Sequence, residues 1–465
     1  MKKHIFKKSF VAVSMLLVTV TSFSQSSSSG YFLDGFNQRY QLNPAFAPER
    51  PTFVAIPALS NIQVDAQGNV GLSNFLYESV NKPGMLTTFM SSEIKKDVFL
   101  DALPNVTQFN VGVNMDLFAL GIGQKNWFTT FNLKLRNNEK VSIPKDLFDF
   151  MKSSLAEDNY MINDINVNSI SYIEWSVTHS HKIGENLTIG AGLKLIEGIA
   201  YADMNIDEID ARISDKAWQV KTNGTLRVSV PGIQFKYNSE SQSLDGIEEY
   251  SFETPSSFGF AMDLGAEYDM KDLVEGLKLS AAITDIGFVS WSHMNTFATN
   301  NQAYVTFDGF NNYDVMGDDD TADDVIEKLE DDLNDMMHLI QIADDGHENI
   351  ALDATFRLGA LYEIPMVSWM SVGELLTART GVYPYFESRT SLNLVPCDWF
   401  DASVNLGFTS YGTTMGLLVN MHPKGLNFFV AVDRLKAEFN PQFIPMKDFG
   451  LNFSMGLNLA FGKKR

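Results

Sequence analysis

The sequence has a single cysteine, Cys397, so neither an internal disulfide framework nor a Cys-rich zinc site can form. It also lacks a long greasy helix: after Val20 no stretch of about 18 residues is apolar and uncharged. The mean hydropathy of −0.07 is too low for a bundle of membrane helices. Positive charge is scarce, with 35 Lys and Arg against 57 Asp and Glu, a formal −22, which argues against a nucleic-acid partner. Catalytic signatures are missing too. Gly121-x-Gly123 and Gly190-x-Gly192 lack a third glycine, and there is no P-loop, no G-x-S-x-G elbow and no H-E-x-x-H helix. No enzyme activity and no cofactor are expected.

What is present begins with an export signal over residues 1–24. Lys2, Lys3, Lys7 and Lys8 precede an apolar run from Phe10 to Val20, and Ser22-Phe23-Ser24 offers small-x-small cleavage chemistry. The run is too short to span a bilayer of roughly 30 Å. No cysteine follows the cleavage site, so a lipoprotein anchor is not available.

The remaining chain alternates with period two. Leu451, Phe453, Met455, Leu457, Leu459 and Phe461 are separated by Asn452, Ser454, Gly456, Asn458 and Ala460. In a strand this makes one greasy face and one small, mostly polar face. The pattern recurs at 109–117, 127–136, 187–195, 258–268, 356–362 and 402–408, with further strands expected near 52–57, 168–181, 224–237, 277–291, 367–379, 382–395, 413–421 and 425–433. Some 14 to 16 strands result. A secreted two-sheet sandwich would also alternate. A transmembrane barrel over residues 51–465 fits better, because the segments are long enough to cross hydrocarbon at a tilt and their polar faces are rich in Gly, Asn and Ser. Aromatic pairs near strand ends (Trp127 and Phe128, Tyr383 and Tyr385, Trp399 and Phe400, Phe428 and Phe429) suit a membrane-interface girdle. The fold class expected is an all-β, transmembrane antiparallel β-barrel of about 14 strands in the outer membrane, with outer-membrane lipid around it.

In such a barrel the opposite faces place Asp116, Lys134, Arg136, Lys194, Asp263, Glu267, Arg357, Glu387 and Arg389 in the lumen, since charges facing lipid are costly. Mutual pairing that braces the wall is one reading. Attraction of the acidic head of an amphiphile by Arg136, Arg357 or Arg389 is the other. His179 and His181 share a strand face without an evident third ligand.

Three segments depart from strands. Residues 25–50 carry a Ser run and then Leu42-Asn43-Pro44-Ala45-Phe46-Ala47-Pro48, read either as a disordered lead-in or as a plug of the barrel around Asn43, Pro44, Ala45 and Phe46. Residues 71–104 and Pro144 to Asp158 carry helical signals, the first broken at Pro83-Gly84. The insertion 308–348 is acidic: 13 acids and one base, Lys328, lie between Asp318 and Glu348. Val325, Ile326, Leu329, Leu333, Met336, Met337 and Ile340 predict an amphipathic helix within it. Calcium at Asp318, Asp319, Asp320, Asp323 and Asp324 is a weaker reading, because EF-hand spacing is absent.

The Leu42–Pro48 segment, the run Leu187 to Ala200 followed by Tyr201, and Leu279 to Trp291, which contains Asp285-x-Gly287-x-x-x-Trp291, together resemble the superfamily of fatty-acid-transporter-like outer-membrane barrels. The nearer resemblance is to an uncharacterised Bacteroidota branch related to the barrel subunits of type IX secretion. It implies about 14 strands and an N-terminal segment reaching into the lumen. The acidic insertion lies outside that pattern. The resemblance implies uptake or binding of small hydrophobic or amphipathic molecules, or else a non-transporting barrel that docks envelope or secreted proteins, the acidic loop being the candidate surface for such a partner.

Overall fold

The computed structural model describes residues 28–152, 158–213, 218–251, 253–254, 256–299, 304–307, 336–381, 384–410, 412–436 and 449–461. The signal segment and most of the acidic insertion, including Asp318, Asp320 and Asp323, lie outside them.

Hydrogen bonding closes the sheet on itself. The first wall position is made of two pieces, β1 (Thr52–Ala55) and β2 (Ile62–Gly68). A small hairpin, β3 (Leu76–Glu78) with β4 (Leu86–Thr88), and helix α1 (Lys96–Asp101) follow. The wall continues with β5 (Val106–Gln124), β6 (Trp127–Pro144), β7 (Asp158–Ile183) and β8 (Leu187–Ile213), with helix α2 (Lys145–Met151) between β6 and β7. After β9 (Trp218–Ser229) and a hairpin of β10 (Ile233–Tyr237) and β11 (Leu244–Tyr250) come β12 (Ser257–Asp269) and β13 (Leu277–Thr299). Short β14 (Val305–Phe307) pairs with β9, and β15 (Leu339–Ala351) pairs with the end of β13. The circuit ends with β16 (Thr355–Glu363), β17 (Met370–Arg379), β18 (Tyr385–Cys397), β19 (Phe400–Thr409), β20 (Gly412–Met421), β21 (Asn427–Lys436) and β22 (Phe449–Phe461). β1 and β2 pair antiparallel with both β22 and β5, which closes a barrel of 14 strands. The closed ladder leaves no sheet edge, the condition hydrocarbon imposes.

The faces sort as period two requires. Phe258, Phe260 and Leu264 on β12, Leu193 and Leu195 on β8, and Phe356 and Leu358 on β16 all point outward and are exposed. Their neighbours Lys194 and Asp263, and Arg389 on β18, are buried inside. Among the described residues no helix is long and apolar enough to cross a membrane.

One end of the barrel carries short turns such as 125–126, 184–186 and 398–399. At the other end the connections are long, and β7 and β8 run on for 26 and 27 residues. In outer-membrane barrels short turns face the periplasm and long loops the outside. The overshoot of β7, β8 and β9 is covered by α1, α2 and the 70–103 segment. They build a second apolar core in which Phe89 and Phe99 stack at 4.4 Å and Ile162, Ile206, Val220 and Phe297 are buried.

Four expectations are corrected. The strand expected at 52–57 stops at Ala55, and six residues, 56–61, stand against two of β22, 456–457, between the pairs Ala55↔Asn458 and Ile62↔Met455. The helical signal over 71–104 is realised only at Leu72–Asn74 and α1, because Pro83-Gly84 instead turns the β3–β4 hairpin. The acidic insertion was drawn through 348, yet its last ten residues are strand, with Glu348 opposite Trp291. Of the aromatic pairs, Phe128 and Phe429 turn inward and are buried, since adjacent strand residues face opposite ways; Tyr385 is buried as well, and Tyr383 lies outside the described residues.

Leu193, 57% exposed, faces hydrocarbon at mid-barrel. Leu193→Arg is expected to lower the unfolding free energy in lipid vesicles by about 2–4 kcal/mol, measured by denaturant titration. An unchanged midpoint would show that this face does not meet lipid.

Candidate functional site

The chain from Ser28 to Arg50 lies inside the barrel. Tyr31, Leu33, Phe36, Tyr40, Leu42, Asn43, Ala45 and Phe46 are all buried. Two 3-10 turns, Ser28–Gly30 and Asn37–Gln41, satisfy part of its backbone, and wall side chains satisfy more. Asn43 folds locally, its Oδ1 accepting from Ala45 N at 2.9 Å. Its Nδ2 donates to the carbonyls of Ala266 and Ala281, both at 3.3 Å, on adjacent wall strands. Gly190 and Gly265 make room for this turn. A Cβ at Gly190 would meet the Pro44 carbonyl, and one at Gly265 would meet the Asn43 side chain and Pro44. Tyr31 lies 3.0 Å from Ser280 Oγ, Tyr40 donates to Asn132 at 2.6 Å, and Gln41 donates to Asp116 at 2.9 Å. Phe46 packs edge-on to Tyr31 and under the Arg39 guanidinium at 4.1 Å.

The lumen charges form two groups. In the first, Lys194 bridges Asp263 (2.8 Å) and Asp285 (2.6 Å), and Arg136 bridges Asp285 (3.2 Å) and Glu174 (2.9 Å). Lys134 and Asp116 are buried nearby, and Glu267 reaches Arg39 of the N-terminal segment at 3.9 Å. In the second group Arg389 pairs with Glu387 and, at 3.2 Å, with Asp433. Arg434 pairs with Asp65 (2.6 Å) and Glu387 (3.5 Å). Asp433 also accepts from Ser29 N at 3.2 Å, which ties this group to the N-terminal segment. Arg357 stands apart. Its Nη1 donates to the Leu42 carbonyl (3.4 Å) and to Thr284 Oγ1 (3.2 Å).

Sequence reasoning missed Asp285 and Arg434 because both sit at bulges. Each has a left-handed backbone, φ 64° and 58°, at a register shift in its strand. A bulge breaks the alternation, so Thr284 and Asp285 both reach the lumen, as do Asp433 and Arg434. The Asp285-x-Gly287-x-x-x-Trp291 signature was the available signal. Gly287 packs against the Phe260 carbonyl, and Trp291 is fully buried and stacks on Tyr201 at 5.3 Å.

Between the N-terminal segment and the long-loop end lies a cavity of about 380 Å³. Ser28 and Gln41 contribute its floor. Its wall carries Arg136, Lys140, Arg227, Arg357, Arg379 and Arg434, against the acids Asp203, Asp285, Glu348 and Asp353. Ile170, Tyr172, Tyr201, Ile350 and Leu352 form an apolar strip along one side, backed by Trp291. His179 and His181 lie elsewhere, stacked beside Trp127 on the outer face near the short turns. Among the described residues no group of three or more metal-ligating side chains occurs.

Arg389 holds two buried acids, so its removal takes a guanidinium from Asp433 and from Glu387, the latter keeping Arg434. Arg389→Met is expected to cost about 3–5 kcal/mol, read as a lowered denaturant midpoint of the heat-modifiable gel band. Adding Glu387→Gln and Asp433→Asn should restore most of the loss; no recovery would show that packing, not charge, sets the effect.

No curated protein sequence matches this one. Solved structures of similar shape include the P. putida toluene transporter TodX, with a TM-score of 0.43 and 10% identity over 95% of this chain and 96% of that one. A Pseudomonas aeruginosa FadL homologue gives 0.44 and 9% over 95% and 100%. The Ralstonia pickettii toluene transporter TbuX gives 0.41 and 9% over 93% and 100%. In sequence, the pattern of one family matches residues 44–433, most of the barrel and the end of its N-terminal segment. The chain belongs to that family of unknown function, DUF5723.

Proposed function

We propose that this outer-membrane barrel binds small amphipathic molecules in its lumen and passes them when the N-terminal segment around Asn43, Pro44, Ala45 and Phe46 yields. The observation that carries this reading is the 380 Å³ cavity, in which basic and amide side chains face an apolar strip of Ile170, Tyr172, Tyr201, Ile350 and Leu352. A wall of this kind matches a solute with one polar, acidic end and one apolar face. The N-terminal segment supports the role of plug, since it fills the lumen on the short-turn side and is held by hydrogen bonds and ion pairs. These weaken one at a time, unlike a covalent closure. Of the cations weighed for an acidic head, Arg136 and Arg389 each face two carboxylates, and Arg357 has no ion pair among the described residues. The docking alternative rested on the acidic insertion, most of which lies outside the described residues.

Loosening the plug tests the reading. Asn43→Ala with Tyr31→Phe removes the contacts to Ala266, Ala281 and Ser280 while leaving the wall intact. In vesicle-swelling measurements with octanoate or gluconate, the double variant should admit solute several-fold faster than the parent. Equal rates, with the variant still heat-modifiable, would overturn the assignment of this segment as the plug.

A further inference from the structure

The cations around the cavity are of two kinds. Arg136, Lys140, Arg227 and Arg434 each face at least one carboxylate: Asp285 and Glu174, Asp353, Asp203 and Glu348, and Asp65 respectively. Arg357 and Arg379 have no ion pair among the described residues, and the Nε of each is buried without a hydrogen-bond partner. They are neighbours on the inner face of β16 and β17. Register pairs Arg357 with Thr377 and Arg379 with Thr355, so the four side chains form a square of alternating Arg and Thr. Diagonal neighbours in such a pair have Cα atoms about 7–8 Å apart, within reach of two long side chains converging on one anion. All four line the cavity, and Thr377, itself buried, has an Oγ1 with no hydrogen-bond partner. Two guanidinium groups and a hydroxyl with no acid within ion-pair distance make an oxyanion site.

A second set of unfilled groups belongs to the same cavity. Asn114 and Asn138 line it from the inner faces of β5 and β6, and the Oδ1 of each is buried without a donor. Amide oxygens accept hydrogen bonds, and leaving them unmade is costly. A fatty acid would satisfy the arginines and leave these acceptors empty. A neutral sugar would do the reverse. Only a solute carrying both a carboxylate and several hydroxyl donors meets both sets, and the Tyr172 and Tyr201 rings offer the flat apolar surface on which a sugar ring packs.

We propose that the cavity is a subsite for an acidic sugar, its carboxylate held by Arg357, Arg379 and Thr377 and its hydroxyls by Asn114 and Asn138. This rests on the reading of the cavity as a solute site and names the class of solute. The test is calorimetric titration of the purified protein in detergent with D-glucuronate, D-glucose and hexanoate at one ionic strength. D-Glucuronate should bind at least tenfold more tightly than either of the others. Arg379→Gln and Thr377→Val should each weaken D-glucuronate by at least fivefold without changing heat-modifiable mobility. Hexanoate binding as tightly as D-glucuronate, or D-glucuronate unaffected by both substitutions, would overturn the acidic-sugar assignment and leave the amphiphile reading standing. No binding of any of the three by a protein that still passes solute in vesicles would also overturn this inference alone. Failure of binding and of passage together would remove the underlying reading as well.

Discussion

Closure of the hydrogen-bond ladder is the constraint from which the rest of the structure follows. Hydrocarbon offers no partner to a backbone amide, so the chain must return to its own first strand. It does so through β1 and β2, which lie between β5 and β22 and together span one wall position despite the interruption at 56–61. Leu59 and Asn61 keep the ladder continuous across that break, their carbonyls accepting from Leu457 at 2.8 Å and Asp116 at 2.9 Å. Once the cylinder is closed, each side chain has only two environments. Apolar groups take the outside, and everything polar is gathered into a narrow interior.

That interior cannot be left empty or unbalanced. A 14-strand barrel is wider than its own inward side chains can fill. Here the N-terminal segment supplies the missing packing: Tyr31, Phe32, Leu42 and Phe46 join Leu361 and Leu375 in one cluster, and Leu33 and Phe36 join Leu418 and Phe429 in another. The buried charges are compensated in groups, not in isolated pairs, and those groups reach the N-terminal segment at Ser29, Arg39 and Gln41. Wall and segment are therefore one electrostatic unit, and loss of a single cation would strand acids in both.

The cavity is what this packing leaves over. Below it the N-terminal segment packs against the inner wall, and at the long-loop end α1, α2 and the long strands build their own apolar core. Its polarity is specific in kind. Four of its six cations are held by acids, and the remaining two share one square of the sheet beside unfilled hydroxyl and amide acceptors. A volume of about 380 Å³ suits a small solute and is too small for a folded partner.

Period-two alternation, joined to segment length and the Gly, Asn and Ser content of the polar faces, determined the class of fold, and alternation alone determined the outward band and the inward side of Lys134, Lys194, Asp263 and Arg389, because in a strand the face of a side chain depends only on its parity. Composition marked the N-terminal segment as non-strand through Pro44 and Pro48, and its buried aromatics were visible as apolar residues needing a home. Parity also explains the failures. Phe128 and Phe429 turned inward because each follows an outward neighbour, and Asp285 and Arg434 escaped notice because a bulge shifts parity without changing composition. Only the tertiary structure could decide which cations find acids. Arg136 and Arg357 look alike in sequence, both inward on alternating strands, yet Glu174 and Asp285 lie beside the first, and the second meets a carbonyl and a hydroxyl. That difference arises from strand register across the barrel, a relation between residues far apart in the chain that local periodicity does not encode.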